Sequence, residues 1–154
     1  MHLMFEYLFG LKTIAAFDVW SVEHILSGLS VGNIVKKDNR KHVKNISLVK
    51  IFESHSSVIR FDIIGVLFVA YLWETIEHYL ETGLAGPRVI FWFQGVEAWS
   101  NRIVADPLLM ILGYYIALKY SKLVVPARVI SVIWLFIHVF IFPHSMYLQE
   151  LIFK

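Results

Sequence analysis

The sequence predicts an all-α fold: a polytopic transmembrane bundle of about four helices with an additional interfacial or re-entrant helix. Three observations predict it. Hydrophobic residues make up 58% and charged residues 17% of the 154 positions, against about 45–50% and about 25% in a soluble domain. Mean hydropathy is +0.64. Several apolar runs approach the roughly 20 residues that a spanning helix needs. This composition excludes a disordered chain and a basic nucleic-acid-binding domain. With no cysteine, disulfide and thiolate-ligand chemistry are excluded too. Residues 1–154 are read as a single integral membrane domain.

The elements follow in order. MHLMFEYLFGLK has no basic start, no long apolar core and no small-residue cleavage site, so it is expected to be an interfacial helix rather than a signal peptide. The first span is about 14–35 (IAAFDVWSVEHILSGLSVGNIV). It carries three ionisable residues, and its Gly28-x-x-x-Gly32 spacing supports a closely packed helix. The second span is about 63–80, the third about 104–120 and the fourth about 129–148. Between the second and third, RVIFWFQGVEAWSNR (88–102) follows a Gly-Leu-Ala-Gly-Pro turn. Its Trp92 and Trp99 favour an amphipathic or re-entrant helix at the membrane–water interface.

Charge sets the expected orientation. Lys36, Lys37, Arg40, Lys41, Lys44, Lys50 and Arg60 fall between spans one and two. Lys119, Lys122 and Arg128 fall between spans three and four. Those are ten of the 14 basic residues. The positive-inside rule then puts both loops in the cytoplasm and both termini outside, most naturally in a bacterial cytoplasmic membrane. The loop bearing His42 and His55 is basic, and anionic lipid headgroups are its natural partner.

All four spans then carry ionisable groups at the outer end: Asp18, Glu23 and His24; Glu74, Glu77, His78 and Glu81; Arg102 and Asp106; His138 and His144. Such groups inside a span are costly, face the bundle interior and mark functional sites by default. Glu74, Glu77, His78 and Glu81 follow i, i+3, i+4 and i+7, one helix face. Asp106 shares a face with Gly113 and Ala117, and His24 with Gly28. The expected site is therefore a pocket of His24, Glu74, His78 and Asp106, catalytic or metal-ligating, with Glu77 and His138 as second members. Carboxylates and histidines on facing helices suit zinc, manganese or iron. Neither Glu-x-x-His nor HExxH spacing is present.

Structural roles stand beside these. Asp106-Pro107 reads equally as an N-cap with proline at the first helical position. Arg102 and Asp106 read as an i, i+4 pair. Glu81 and Glu97 read as solvated, Asp18 as a cap or surface group, His144 as interfacial, and His138 as hydrogen-bonded to a neighbouring helix.

Three stretches carry a family resemblance: DVWSVEHILSGLSVG (18–32), WETIEHYLE (73–81) and DPLLMILG (106–113). Their order resembles the small bacterial membrane proteins of the VanZ-like and YjdF type. The resemblance implies Asp18, His24, Glu74, Glu77 and Asp106 as the family-type positions and a link to the cell envelope and glycopeptide resistance, with no settled reaction. His78, the 88–102 segment and a histidine-bearing last span depart from that pattern.

Two functions lead. One is a metal-dependent intramembrane hydrolase or transferase acting on a lipid or lipid-linked envelope substrate, through an activated water or a Glu–His acid/base pair. The other is a non-enzymatic accessory subunit, in an oligomer or larger complex, whose polar core packs helices or binds lipid headgroups. A proton pathway is disfavoured because the inner half holds only Asp62 near its end. A haem ligated by His24 with His138 or His78 is a fourth reading. The orientation predicts that tags at both termini are reachable in intact cells; cytoplasmic termini would overturn it.

Overall fold

The computed structural model describes residues 6–43 and 55–153, with side chains for 6–39 and 61–152. Every regular element named among them is helical: α1 Ser21–Val43, α2 His55–Thr82, α3 Pro87–Phe93, α4 Asp106–Lys119, α5 Val124–Phe136 and α6 Tyr147–Phe153. A π-helical turn, Asn101–Ala105, leads into α4; another, Ile137–Ile141, extends α5; a short 3₁₀ turn, Ser121–Leu123, joins the two helices.

Three segments are long and apolar enough to cross a membrane, as in an integral membrane protein: Phe61–Thr82, Asn101–Lys119 and Ser121–Ile141. The outer surface of α5 exposes Val125, Val129, Val132, Ile133 and Phe136. An apolar face of that size on a soluble monomer would be anomalous; against lipid it is expected. The first expected span, 14–35, is not among the three. Residues 14–20 are turns, and the helix runs on to Val43, so 36–43 are helix rather than loop. Glu23 at one end and Lys36, Lys37, Asp38, Arg40 and Lys41 at the other leave residues 24–35 as its apolar middle. At 1.5 Å per residue that is about 18 Å, short of a hydrocarbon core of about 30 Å. The helix is instead enclosed, packing on α4 most extensively and also on α5 and α2.

Other boundaries shift for identifiable reasons. The last long helix starts near Ser121 and ends at Ile141, not 129–148, because Phe142 turns extended ahead of Pro143. The 88–102 segment is not one helix: it is helical to Phe93, Gln94 and Gly95 take positive φ and turn the chain, and it is helical again from Trp99. Its Trp99 is 71% exposed, while Trp92 is half-buried and donates its indole N–H to the His138 carbonyl. Residues 6–8 are helical, but residues 9–17 double back on them as a loop, closed by Ala16 N–H to Tyr7 O, Phe17 N–H to Leu8 O and Gly10 N–H to Phe17 O. Lys44 and Lys50 lie outside the described residues, as do the side chains of His42, His55 and Arg60.

The close approach of α1 and α4 sets the register of the bundle. A Cβ at Gly28 would collide with the Met110 carbonyl, and one at Gly113 with the Ile25 carbonyl. The two backbones are in contact, which the absence of side chains permits. One turn further on, Gly32 meets the Tyr114 side chain. α1 and α4 therefore run parallel, His24 beside Asp106 and Gly28 beside Gly113. α2 runs the other way: Gly65 meets Val35, and Asp62 accepts hydrogen bonds from Tyr114 Oη at 2.8 Å and Asn39 Nδ2 at 2.9 Å. α5 is likewise antiparallel to α1, with Arg128 Nε donating to Ser30 Oγ at 3.0 Å and Ser131 Oγ to Glu23.

Gly28→Val and Gly113→Val should each lower stability by about 3 kcal/mol, the upper range for overpacking, read as the unfolding midpoint in detergent. Val132→Ala, on the exposed face of α5, should change it by less than about 0.5 kcal/mol.

Candidate metal centre and its cation layer

Gly28 stands against Met110, and His24 and Asp106 each come one turn earlier. The glycine contact thus brings both side chains to one level, and antiparallel α2 adds Glu74. His24 Nε2 lies 3.2 Å from Asp106 Oδ2, and His24 Nδ1 lies 3.7 Å from Glu74 Oε1. All three residues are buried, and one ligand atom from each lies within 4.8 Å of the others. Two atoms bound to one ion sit at most two bond lengths, roughly 4.3 Å, apart. A side-chain adjustment of a few tenths of an ångström therefore closes this set on an ion. No lysine, arginine or backbone N–H is hydrogen-bonded to the Glu74 or Asp106 carboxyl; their polar neighbours are the His24 ring and the Glu97 carboxyl, which hydrogen-bonds both. Buried carboxylates are ordinarily paired more fully, so this sparse pairing at one point needs a reason.

Directly beside the three lies a layer of opposite charge. Lys12, only 1% exposed, donates to Glu81 Oε1 at 2.6 Å. Arg102 Nη2 pairs with Glu81 Oε2 and lies 3.6 Å from Glu97 Oε2; its Nε is 3.9 Å from Glu74 Oε2. Asn101 Nδ2 bridges Asp18 Oδ2 at 3.0 Å and Glu97 Oε1 at 3.1 Å. Asp18 also accepts the Trp20 and Ser21 N–H groups at 2.7 and 3.1 Å, which fixes the start of α1.

Several expectations are corrected here. Glu81 and Glu97 are not solvated: they are 3% and 7% exposed and sit at the centre of the layer. Arg102 pairs with Glu81 and Glu97 rather than with Asp106. Asp106 makes no cap hydrogen bond, because the backbone is already helical through the π turn before it. Pro107 supplies no N–H to the preceding turn, a frequent reason for a helix to change its winding at that point.

The remaining candidates lie apart from the group of three. At 3.6 residues per turn, Glu77 and Glu81 wrap to one side of Glu74 and His78 to the other. His78 is exposed and meets Arg102 Nη1 through Nδ1 at 3.1 Å. Glu77 is half-buried and feels Lys12 and Arg102. His138 is buried, but among aromatics, its ring centroid 4.9 Å from that of Trp20 and 5.5 Å from that of Trp134. Sequence reasoning missed Lys12 altogether. Its one signal was position, a lone cation in the otherwise apolar run LFGLKTIAAF.

A cavity of about 710 Å³ adjoins the group, with His24, Glu77 and Glu97 on its wall. Burial, with the charge of Asp106 adding to it, pushes the Glu97 carboxyl well above the usual carboxylate range. Glu97 therefore holds a proton at neutral pH and has one to give. The chain matches no protein-family profile, no curated protein and no solved structure.

Glu97→Gln, which mimics the protonated carboxyl, should hold stability within about 1 kcal/mol. Glu81→Gln strips Lys12 and Arg102 of their shared counter-charge and should cost about 3–5 kcal/mol. Thermal unfolding in detergent reads both.

Proposed function

We propose that this chain is an integral membrane metalloprotein in which His24, Glu74 and Asp106 hold one divalent cation, zinc, manganese or iron, and that it works as an intramembrane hydrolase or transferase on a lipid or lipid-linked envelope substrate. One observation carries the reading: His24, Glu74 and Asp106, buried and coming from three different helices, each bring a ligand atom within 4.8 Å of the others. The charge balance supports it. With Glu97 protonated, Asp18, Glu74, Glu77, Glu81 and Asp106 are five carboxyls against two permanent cations, Lys12 and Arg102. A divalent ion offsets that excess where solvent cannot.

Three protein ligands with room for a fourth is the arrangement of catalytic rather than structural sites. An ion held there supplies Lewis acidity and an activated water. Glu97 is the acid at hand beside it, and Arg102 orients Glu74 and Glu97. The asymmetric basic loops favour an outward-facing site. The resemblance to the VanZ-like and YjdF-type proteins agrees with an envelope substrate.

A second reading has its own observation. Each ring nitrogen of His24 faces a carboxylate, so the three can serve as a packing link between α1, α2 and α4 in an accessory subunit. The two readings separate on metal content. Wild-type protein purified without chelator should carry about one equivalent per chain by elemental analysis. His24→Ala, Glu74→Gln and Asp106→Asn should fall to background while still eluting as folded protein. His78→Ala should keep the metal. Background metal in the wild type after incubation with zinc, manganese and iron would overturn the metalloprotein reading in favour of the packing link.

A further inference from the structure

The cavity beside the metal centre has a shape and a charge distribution of its own. Helix register orders its lining by depth. Arg88, on α3, stands at the rim; Trp20 and Glu77 follow, then His24 and Trp73, and Val31, Val69 and Met110 close the deep end. Its volume, about 710 Å³, falls within the roughly 300–1,000 Å³ typical of organic-ligand sites. Trp73 on α2 and Leu135 and Val139 on α5 line it and are also 48%, 42% and 45% exposed. The cavity therefore opens between α2 and α5, on the apolar surface that faces lipid. An apolar cleft reached from the bilayer is filled by hydrocarbon, because water there would lack polar partners.

The rim carries the second observation. Arg88 is exposed and makes no ion pair with an acidic residue among the described residues. Among the described residues at this end of the bundle, the other cations are engaged: Lys12 by Glu81, and Arg102 by Glu81 and Glu97. An unpaired guanidinium over an apolar cleft matches a phosphate, whose oxygens its planar fork can bind in pairs.

We propose that the cavity takes a phospholipid, with one acyl chain between α2 and α5 and its phosphate held by Arg88. The ester region of that lipid then lies level with His24 and Glu97. This names the substrate class for the site above, and it rests on that reading for the reaction though not for the binding.

Trp20, Trp73 and Trp92 line the cavity, so their emission reports an occupant. Purified full-length protein in a nonionic detergent is titrated with phosphatidylglycerol carrying brominated chains, and separately with brominated diacylglycerol, which lacks the phosphate. Saturable quenching is expected, with the diacylglycerol about tenfold weaker. Arg88→Gln should erase that difference, and a second variant, Val69→Phe, should weaken both ligands by occupying the deep end. Inorganic phosphate should displace neither. Equal affinity for the two lipids, or a preference surviving in Arg88→Gln, overturns the phosphate assignment. Quenching that does not saturate, or that Val69→Phe leaves unchanged, overturns the cavity assignment, as does displacement by free phosphate. Protein stripped of metal with a chelator should still bind the phospholipid. Background metal in the wild type with lipid binding intact defeats only the metalloprotein reading, and metal without lipid binding defeats only this one.

Discussion

Everything at the polar end of this bundle depends on two backbones touching. Where α1 crosses α4 at Gly28 and Gly113, no Cβ fits on either side. That contact fixes the axial register of the two helices, and register decides which side chains share a level. Gly28 lies against Met110; one turn before Gly28 comes His24, and one turn before Met110 comes Asp106. A wider crossing would separate them by the thickness of a side chain layer and leave two polar groups stranded in a low-dielectric interior, each at a cost of a few kcal/mol. The glycines give up helix propensity for this; in a membrane, van der Waals contact of close-packed backbones repays it.

Charge then organises what the glycines bring together. Glu81 stands between Lys12 and Arg102 and satisfies both. One cation sits on a doubled-back loop and the other on a π turn, so a single carboxylate ties two distant parts of the chain to α2. Lone buried ions are prohibitive, whereas a hydrogen-bonded group with alternating sign is tolerated. With Lys12 and Arg102 bonded to Glu81, neither is hydrogen-bonded to Glu74 or Asp106, which stay gathered around His24. The layer thus holds the three potential ligands in position without consuming them, as the supporting contacts of a metal site do.

Much of this arrangement was legible in the sequence, and the parts that were not have physical reasons. Gly28, Gly32 and Gly113 announced close packing, and the i, i+3, i+4, i+7 pattern of α2 announced a polar face. Together they brought His24, Glu74 and Asp106 to the same end. Period alone cannot say where the centre of a polar face falls, so His78 was grouped with Glu74 although it sits at the exposed edge. Hydropathy places helix ends poorly when charges are sheltered by neighbours. For that reason the apolar run 14–35 starts earlier and stops sooner than α1, and Glu81 and Glu97 look solvated by sequence but are buried. The contribution of Lys12 depends on a loop folding back over the bundle, a long-range event that no local pattern of apolar and polar residues encodes.

Metal K-edge X-ray absorption on the loaded protein tests the central claim, that these three side chains form one coordination shell, most directly. The account predicts one imidazole nitrogen and carboxylate oxygens at about 2.0–2.2 Å, with the imidazole signal lost in His24→Ala. A shell of oxygens alone, or a spectrum that His24→Ala leaves unchanged, would contradict it.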